Sequence, residues 1–173
     1  MQDLLRLFSL AVLVCASAPA GAGWDWQPDT VAPVGELTLP YDSTLFSVEK
    51  TGEAHTIACS GPYDCGNAFV IVRIVEDDGQ TCSRAAMLAA FGLTEADIGK
   101  GIGRGQVWSR TANGLTIHAA STDIGCRNLA GGPVMACTRH AGKTYLFDAP
   151  GEHCHTPYGH ADAVLDLLTG LRP

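Results

Sequence analysis

The 173-residue chain lacks the short motifs that identify common catalytic and redox sites. Although it contains seven cysteines, no two have Cys-x-x-Cys spacing, which excludes thioredoxin-like redox sites, zinc ribbons and covalent haem attachment. It also lacks Gly-x-Ser-x-Gly, so neither Ser60 nor Ser121 carries the local signature of an activated nucleophile. No motif therefore assigns a catalytic residue, and the sequence favours a protein that is not an enzyme.

Basic residues are few and scattered. The chain has 11 Lys and Arg against 18 Asp and Glu, a formal net charge of −7. Nucleic acids and anionic membrane surfaces both require clustered Lys and Arg, so this balance argues against either as a partner. A protein partner with a basic surface fits the charge better, since complementary charge speeds encounter. No Asn-x-Ser/Thr sequon is present, which is compatible with a bacterial periplasm.

Long apolar runs are also absent, except for one near the start of the chain. The run from Leu7 to Ala18 is shorter than the roughly 20 residues that span a bilayer. It is followed by Ala18-Pro19-Ala20 and Ala20-Gly21-Ala22, either of which fits a signal peptidase site. We therefore expect residues 1–22 to be a signal peptide and the mature protein to be periplasmic or secreted, with no membrane contact after cleavage. An uncleaved membrane anchor is the alternative.

Six cysteines remain after Cys15 is assigned to this leader, and in an exported chain they are expected to form disulfides. They are Cys59, Cys65, Cys82, Cys126, Cys137 and Cys154. Sequence alone does not choose among their pairings. Locality favours Cys59–Cys65 and Cys126–Cys137 across turns, which leaves Cys82 to pair with Cys154.

The hydrophobic content of 46% and the charged content of 17% predict one folded domain over residues 35–173, after an irregular leader at residues 23–34. The strongest strand is Ala68 to Val75, whose apolar run predicts a central strand covered on both faces. Helices are expected from Ser83 to Gly92 and near the C-terminus, where Val164, Leu165, Leu168 and Leu171 share one face. The predicted fold class is α+β, an antiparallel sheet with helices packed on it and disulfides stapling the domain.

The order of these elements resembles the PsbP-like fold over Glu36 to Leu171. The resemblance consists of an apolar early strand, a helix after the central strand, the Asn113-Gly114 hairpin, the Gly-Lys-Thr-Tyr-Leu-Phe strand and a short terminal helix. It implies an accessory or binding module without chemistry of its own. The six cysteines depart from that pattern.

A histidine-rich segment is the best candidate for a cofactor site. His153 and His155 lie two residues apart, and on an extended segment their side chains point to the same side. With His160 they are candidate ligands for copper or zinc. The alternative for these histidines, and for the isolated His118 and His140, is a solvated or hydrogen-bonded side chain.

The sequence thus predicts an exported, non-enzymatic binding, inhibitor or accessory protein without a cofactor. Its alternative is a periplasmic metal-binding protein or metalloenzyme that uses the His-x-His segment.

Overall fold

The computed structural model of the chain describes residues 27–59, 69–99, 104–122, 132–150 and 160–173; the side chains of Cys59, Phe69 and residues 160–163 are outside that description. Strands dominate these ranges. The strands are β1 (Thr30–Val34), β2 (Leu37–Tyr41), β3 (Phe46–Thr51), β4 (Ala54–Cys59), β5 (Phe69–Glu76), β6 (Gly105–Ala112), β7 (Leu115–Thr122), β8 (Val134–His140) and β9 (Lys143–Ala149). The helices are α1 (Arg84–Ala89) and α2 (His160–Thr169), with a single 3-10 turn at Glu95–Asp97 between α1 and β6.

Seven of the strands form one antiparallel sheet in the order β3-β4-β5-β9-β8-β7-β6. After β5 the chain leaves the middle of the sheet, passes through α1 and the 3-10 turn, and re-enters at the far edge as β6. It then returns strand by strand until β9 pairs with β5. The segment that joins β5 to β6 and contains α1 therefore passes over one face of the sheet, on the side formed by β6, β7, β8 and β9.

One face of the sheet carries most of the core, under α2 and the β1–β2 hairpin. Strand residues alternate between the two faces, so Val72, Phe147, Ala136 and Ala119 line this face in neighbouring strands. All four are buried, as are the apolar residues of α2 from Val164 onward. The predicted apolar face of the terminal helix is confirmed, and burying it closes this side of the sheet.

The opposite face contains a smaller cluster beneath α1. Ser83 caps the helix, since its hydroxyl accepts a hydrogen bond from the Ala86 backbone at 3.1 Å, as the sequence predicted. Met87 and Leu88 point down onto Ala120 of β7. The cluster also holds a disulfide between Cys82 and Cys137, and both cysteines are buried. This bridge fixes the segment before α1 to the middle of the sheet.

The α+β prediction is wrong, because the protein is mostly β. α1 has six residues and α2 has ten, whereas the strands make both the sheet and part of the layer that covers it. The predicted helix through Gly92 stops at Ala89, and Gly92 has a φ of +67°, which ends a right-handed helix. The second layer is not purely helical either, since the β1–β2 hairpin takes the place that a longer helix would fill.

Three further predictions need correction. Residues 30–34 are not an irregular leader but strand β1, paired along its whole length with β2. The pairings Cys126–Cys137 and Cys82–Cys154 are wrong, because Cys82 is joined to Cys137. β5 is central but not covered on both faces, since Val75 is 40% exposed on the α1 side.

The predicted signal peptide lies outside the described residues. So do Cys65, Cys126 and Cys154, and Cys59 is described in its backbone only. Within the described ranges, no helix has the length and apolar content needed to cross a bilayer.

Candidate binding surface

The length of α1 decides how much of its face of the sheet is covered. Seven strands spaced by about 4.8 Å make a sheet roughly 29 Å wide. A six-residue helix is only about 9 Å long and about 10 Å across. It contacts chiefly β6, β7 and β8. The same face of β3, β4, β5 and the adjoining side of β9 therefore lies beyond its reach.

We call this area, which no element of the described ranges covers, the open half. The register of the strands places Glu49, Thr56, Ile71 and Asp148 in one row across the sheet. Arg73 and Val75 lie two and four residues further along β5 than Ile71, on the same face. The area is only partly polar, with Ile71 half-buried and Val75 exposed. Its defining residues are Glu49, Thr56, Ile71, Arg73, Val75 and Asp148.

Two of the three charged side chains in the open half pair with each other, and the third, Glu49, does not belong to that pair. Arg73 forms an ion pair with Asp148 of β9 at 3.9 Å, and both side chains are about half exposed. Glu49 is exposed, and no ion pair in the described part of the chain includes it. The net charge of the area is therefore negative, with Glu49 as the carboxylate that a cation on another molecule can approach.

The same imbalance holds over the rest of the described surface, because most basic residues are already neutralised within the protein. Arg84 binds Glu95 through two hydrogen bonds of 2.7 and 2.9 Å. Arg139 pairs with Asp77 at 3.0 Å, and Lys143 pairs with Glu76. Such exposed pairs contribute little to stability, but they remove basic groups from contact with partners. What remains for intermolecular electrostatics is mainly acidic.

Ser109 and His118 form the one side-chain pair in the described residues that resembles part of a catalytic site. They face each other on β6 and β7, and the Ser109 hydroxyl is 2.8 Å from His118 Nδ1. Partial burial, together with the nearby charge of Arg139, lowers the pKa of His118. The neutral ring can therefore accept the hydroxyl proton. Among the described residues, however, no carboxylate bonds the other ring nitrogen, so nothing there orients the ring as a catalytic base requires.

The histidines predicted to bind copper or zinc are not placed together by what the structure describes. His153 and His155 lie outside the described residues, and His160 is described only as the first backbone residue of α2. His140 ends β8 opposite Lys143. Across the described ranges, no group of three or more His, Cys, Asp or Glu side chains is close enough to hold a metal ion. The predicted ligand set stays a prediction.

Sequence reasoning missed the open half, although one signal for it was present. Arg73 interrupts the apolar run of β5, and Arg73 and Val75 share a face because they are two residues apart. A charged residue in mid-strand indicates an exposed face at that point. The exposure of Glu49 has no comparable signal, because it depends on which strands α1 covers.

Comparisons with known proteins do not add a family to these observations. Neither the comparison with protein-family models nor the comparison with curated proteins gives a match for this chain. The resemblance to the PsbP-like fold therefore rests on the order of elements alone.

Proposed function

We propose that the protein is an exported, non-enzymatic binding protein of the inhibitor or accessory type, and that a protein partner with a basic surface docks on the open half. The observation that supports it best is the sheet face that no element of the described ranges covers, which carries apolar Ile71 and Val75 together with the acidic Glu49. A partly apolar surface patch with a polar surround is typical of protein-binding surfaces.

The proposal also accounts for the distribution of charge. Intramolecular ion pairs neutralise most described basic side chains, which leaves acidic groups to act at a distance. An acidic protein attracts a basic partner and repels acidic competitors, so the charge contributes to the rate and specificity of binding.

Two charge reversals at exposed glutamates test this proposal. Glu49→Lys reverses the charge on the open half. Glu36→Lys makes the same change in the β1–β2 turn, on the other face of the sheet. The substitution keeps the local hydrogen bond, because it is the Glu36 backbone N–H that donates to the Tyr145 hydroxyl. Each protein is immobilised and exposed to the periplasmic and secreted proteins of its own cell, and captured chains are quantified by mass spectrometry.

We expect the wild type and Glu36→Lys to capture the same protein in near-stoichiometric amount. Glu49→Lys should capture it at least about fivefold less, because a like charge now faces the partner. Equal capture by both variants, or no stoichiometric capture by the wild type, would refute the proposal. A purified chain that carries copper or zinc, lost in a His153→Ala/His155→Ala variant, would favour the metal-binding alternative instead.

A further inference from the structure

The two edges of the seven-stranded sheet are protected differently. At the β6 edge, Gly105 forms a parallel bridge with Ile98, and the Gly99 N–H donates to the Gly105 carbonyl at 3.0 Å. Leu88 and Leu93 also lie against Gly105, so the segment after α1 covers the start of this strand. At the β3 edge, no strand in the described ranges pairs with the outer side. As far as the described ranges extend, the sheet therefore has one partly covered edge and one open edge.

The β3–β4 hairpin fixes which backbone groups of β3 face outward. Its loop is Gly52–Glu53, and the flanking residues Thr51 and Ala54 are directly paired. In a two-residue hairpin this flanking pair exchanges both backbone hydrogen bonds, and the pattern alternates along the strand. Glu49 therefore bonds to β4, whereas Val48 and Lys50 direct their N–H and C=O groups away from the sheet.

This edge borders the open half directly. Glu49 belongs to both, because its backbone pairs with Thr56 while its side chain lies on the α1 side of the sheet. On the other face Val48 packs against the core and stays half-buried. Backbone donors, an exposed carboxylate and an apolar contact thus lie within three consecutive residues, the combination that strand addition uses.

We propose that the partner adds an extended segment to the edge of β3 as an eighth strand, with a Lys or Arg opposite Glu49 and a branched apolar residue opposite Val48. This inference rests on the proposed function and names how the partner binds at the same site. The charge of Glu49 selects the occupant, since opposite charges directly across an antiparallel pair are favourable and like charges are not.

A second copy of the chain fits this edge less well. Symmetric antiparallel pairing of β3 with itself brings a residue opposite its own copy. A register centred on Glu49 places two carboxylates together, and one centred on Lys50 places two ammonium groups together. Registers centred on Val48 or on Ser47 avoid both, because they place neither charged residue opposite its own copy. The charged residues at this edge therefore disfavour two of the registers in which β3 could pair with itself, and charged side chains are a known protection of open edges.

Proline at position 50 tests the inference, because it removes the outward N–H without removing a bond to β4. Lys50→Pro is compared with Lys50→Ala, which loses the same side chain but keeps the N–H. With the captured partner, we expect Lys50→Pro to bind roughly three- to tenfold more weakly than Lys50→Ala, the effect of one lost hydrogen bond. Unfolding midpoints of the two variants establish that both are folded.

A second measurement uses the wild-type protein and so does not depend on the proline variant folding. In the complex, the amide hydrogens of Val48 and Lys50 should exchange with solvent at least about tenfold more slowly than in the free protein, because they become bonded in the added strand. Unchanged exchange at both amides, or equal binding by the two variants, would overturn strand addition. If Glu49→Lys still reduced capture, the proposed docking on the open half would stand without it. Sedimentation of the purified protein as a dimer that Lys50→Pro dissolves would identify a second copy as the occupant and also overturn the inference.

Discussion

The disulfide between Cys82 and Cys137 gives the sharpest test of the fold, because it joins elements that are far apart in the chain. The cysteines are separated by 55 residues, and the intervening segment contains α1, β6 and β7. In the double variant Cys82→Ala/Cys137→Ala the unfolded chain regains the freedom that the bridge removes. For a loop of this length the chain-entropy model gives about 14 cal/mol/K, or about 4 kcal/mol at 25 °C.

Lost packing adds to the destabilisation that chain entropy causes in the double variant. Cys82 is 2% exposed and Cys137 is fully buried, and both contact the cluster beneath α1. Replacing each by alanine removes one buried sulfur, at a cost of roughly 1 kcal/mol per site. We therefore expect the free energy of unfolding to fall by roughly 6 kcal/mol in total, a large part of the stability of a typical domain.

The assay is urea unfolding followed by tryptophan fluorescence without reducing agent, so that any other disulfide stays intact. The midpoint should fall, and the dependence on urea should steepen because the unfolded variant exposes more surface. A loss below about 1 kcal/mol would refute the argument. The bridge itself is checked by digestion without reduction, since trypsin places Cys82 on peptide 74–84 and Cys137 on peptide 128–139. A link from peptide 128–139 to peptide 111–127, which carries Cys126, would show that the pairing is wrong.

Two other predictions concern pH and a long-range turn contact. Burial is the main cause that lowers the pKa of both His55 and His118 below the ordinary value of 6.5, so their neutral forms favour the folded state. This stabilisation is complete above pH 6.5 and is lost as pH falls through the lowered pKa values. The urea midpoint of the wild type should therefore drop between pH 7.5 and 5.5, and the midpoint of a His55→Gln/His118→Gln variant should drop less. An equal drop in both proteins would contradict the assignment. Asn113 has a φ of +52°, and its side-chain amide donates hydrogen bonds to the carbonyls of Thr169 and Leu171, at 3.1 and 2.9 Å. The free energy of unfolding of Asn113→Ala, measured in urea, should therefore be lower than that of the wild type by about 2–3 kcal/mol. Asn113→Gly should lose about half as much, because glycine accepts this φ and loses only the hydrogen bonds; equal losses would show that the conformation contributes nothing.

The features that could be predicted from the sequence are those set by local chemistry. The Ser83 cap and the Asn113-Gly114 hairpin depend on a few neighbouring residues, and both are confirmed. Strand β1 was missed because Pro33 cannot donate to a ladder, although it is tolerated in a two-stranded sheet. The partner of Cys137 could not be predicted, since Cys82 reaches it only through the crossover that places α1 over β7 and β8. The open half has the same origin, because its exposure follows from the length of that crossover.

The charge at the edge of β3 links the binding proposal to the solubility of the free protein. An open edge can pair with any extended chain, and β3 itself carries the half-buried apolar side chains of Phe46 and Val48, which favour such contacts. Glu49 opposes pairing with acidic segments and with a second Glu49, while the adjacent Lys50 opposes basic ones on the other face. The two charges thus favour a strand that alternates a basic residue on one face with an acidic or apolar residue on the other. The side chains of Glu49 and Lys50 therefore limit both self-association at this edge and the range of strands that can pair with it. Neutralising Glu49 should broaden the range of captured proteins and increase self-association.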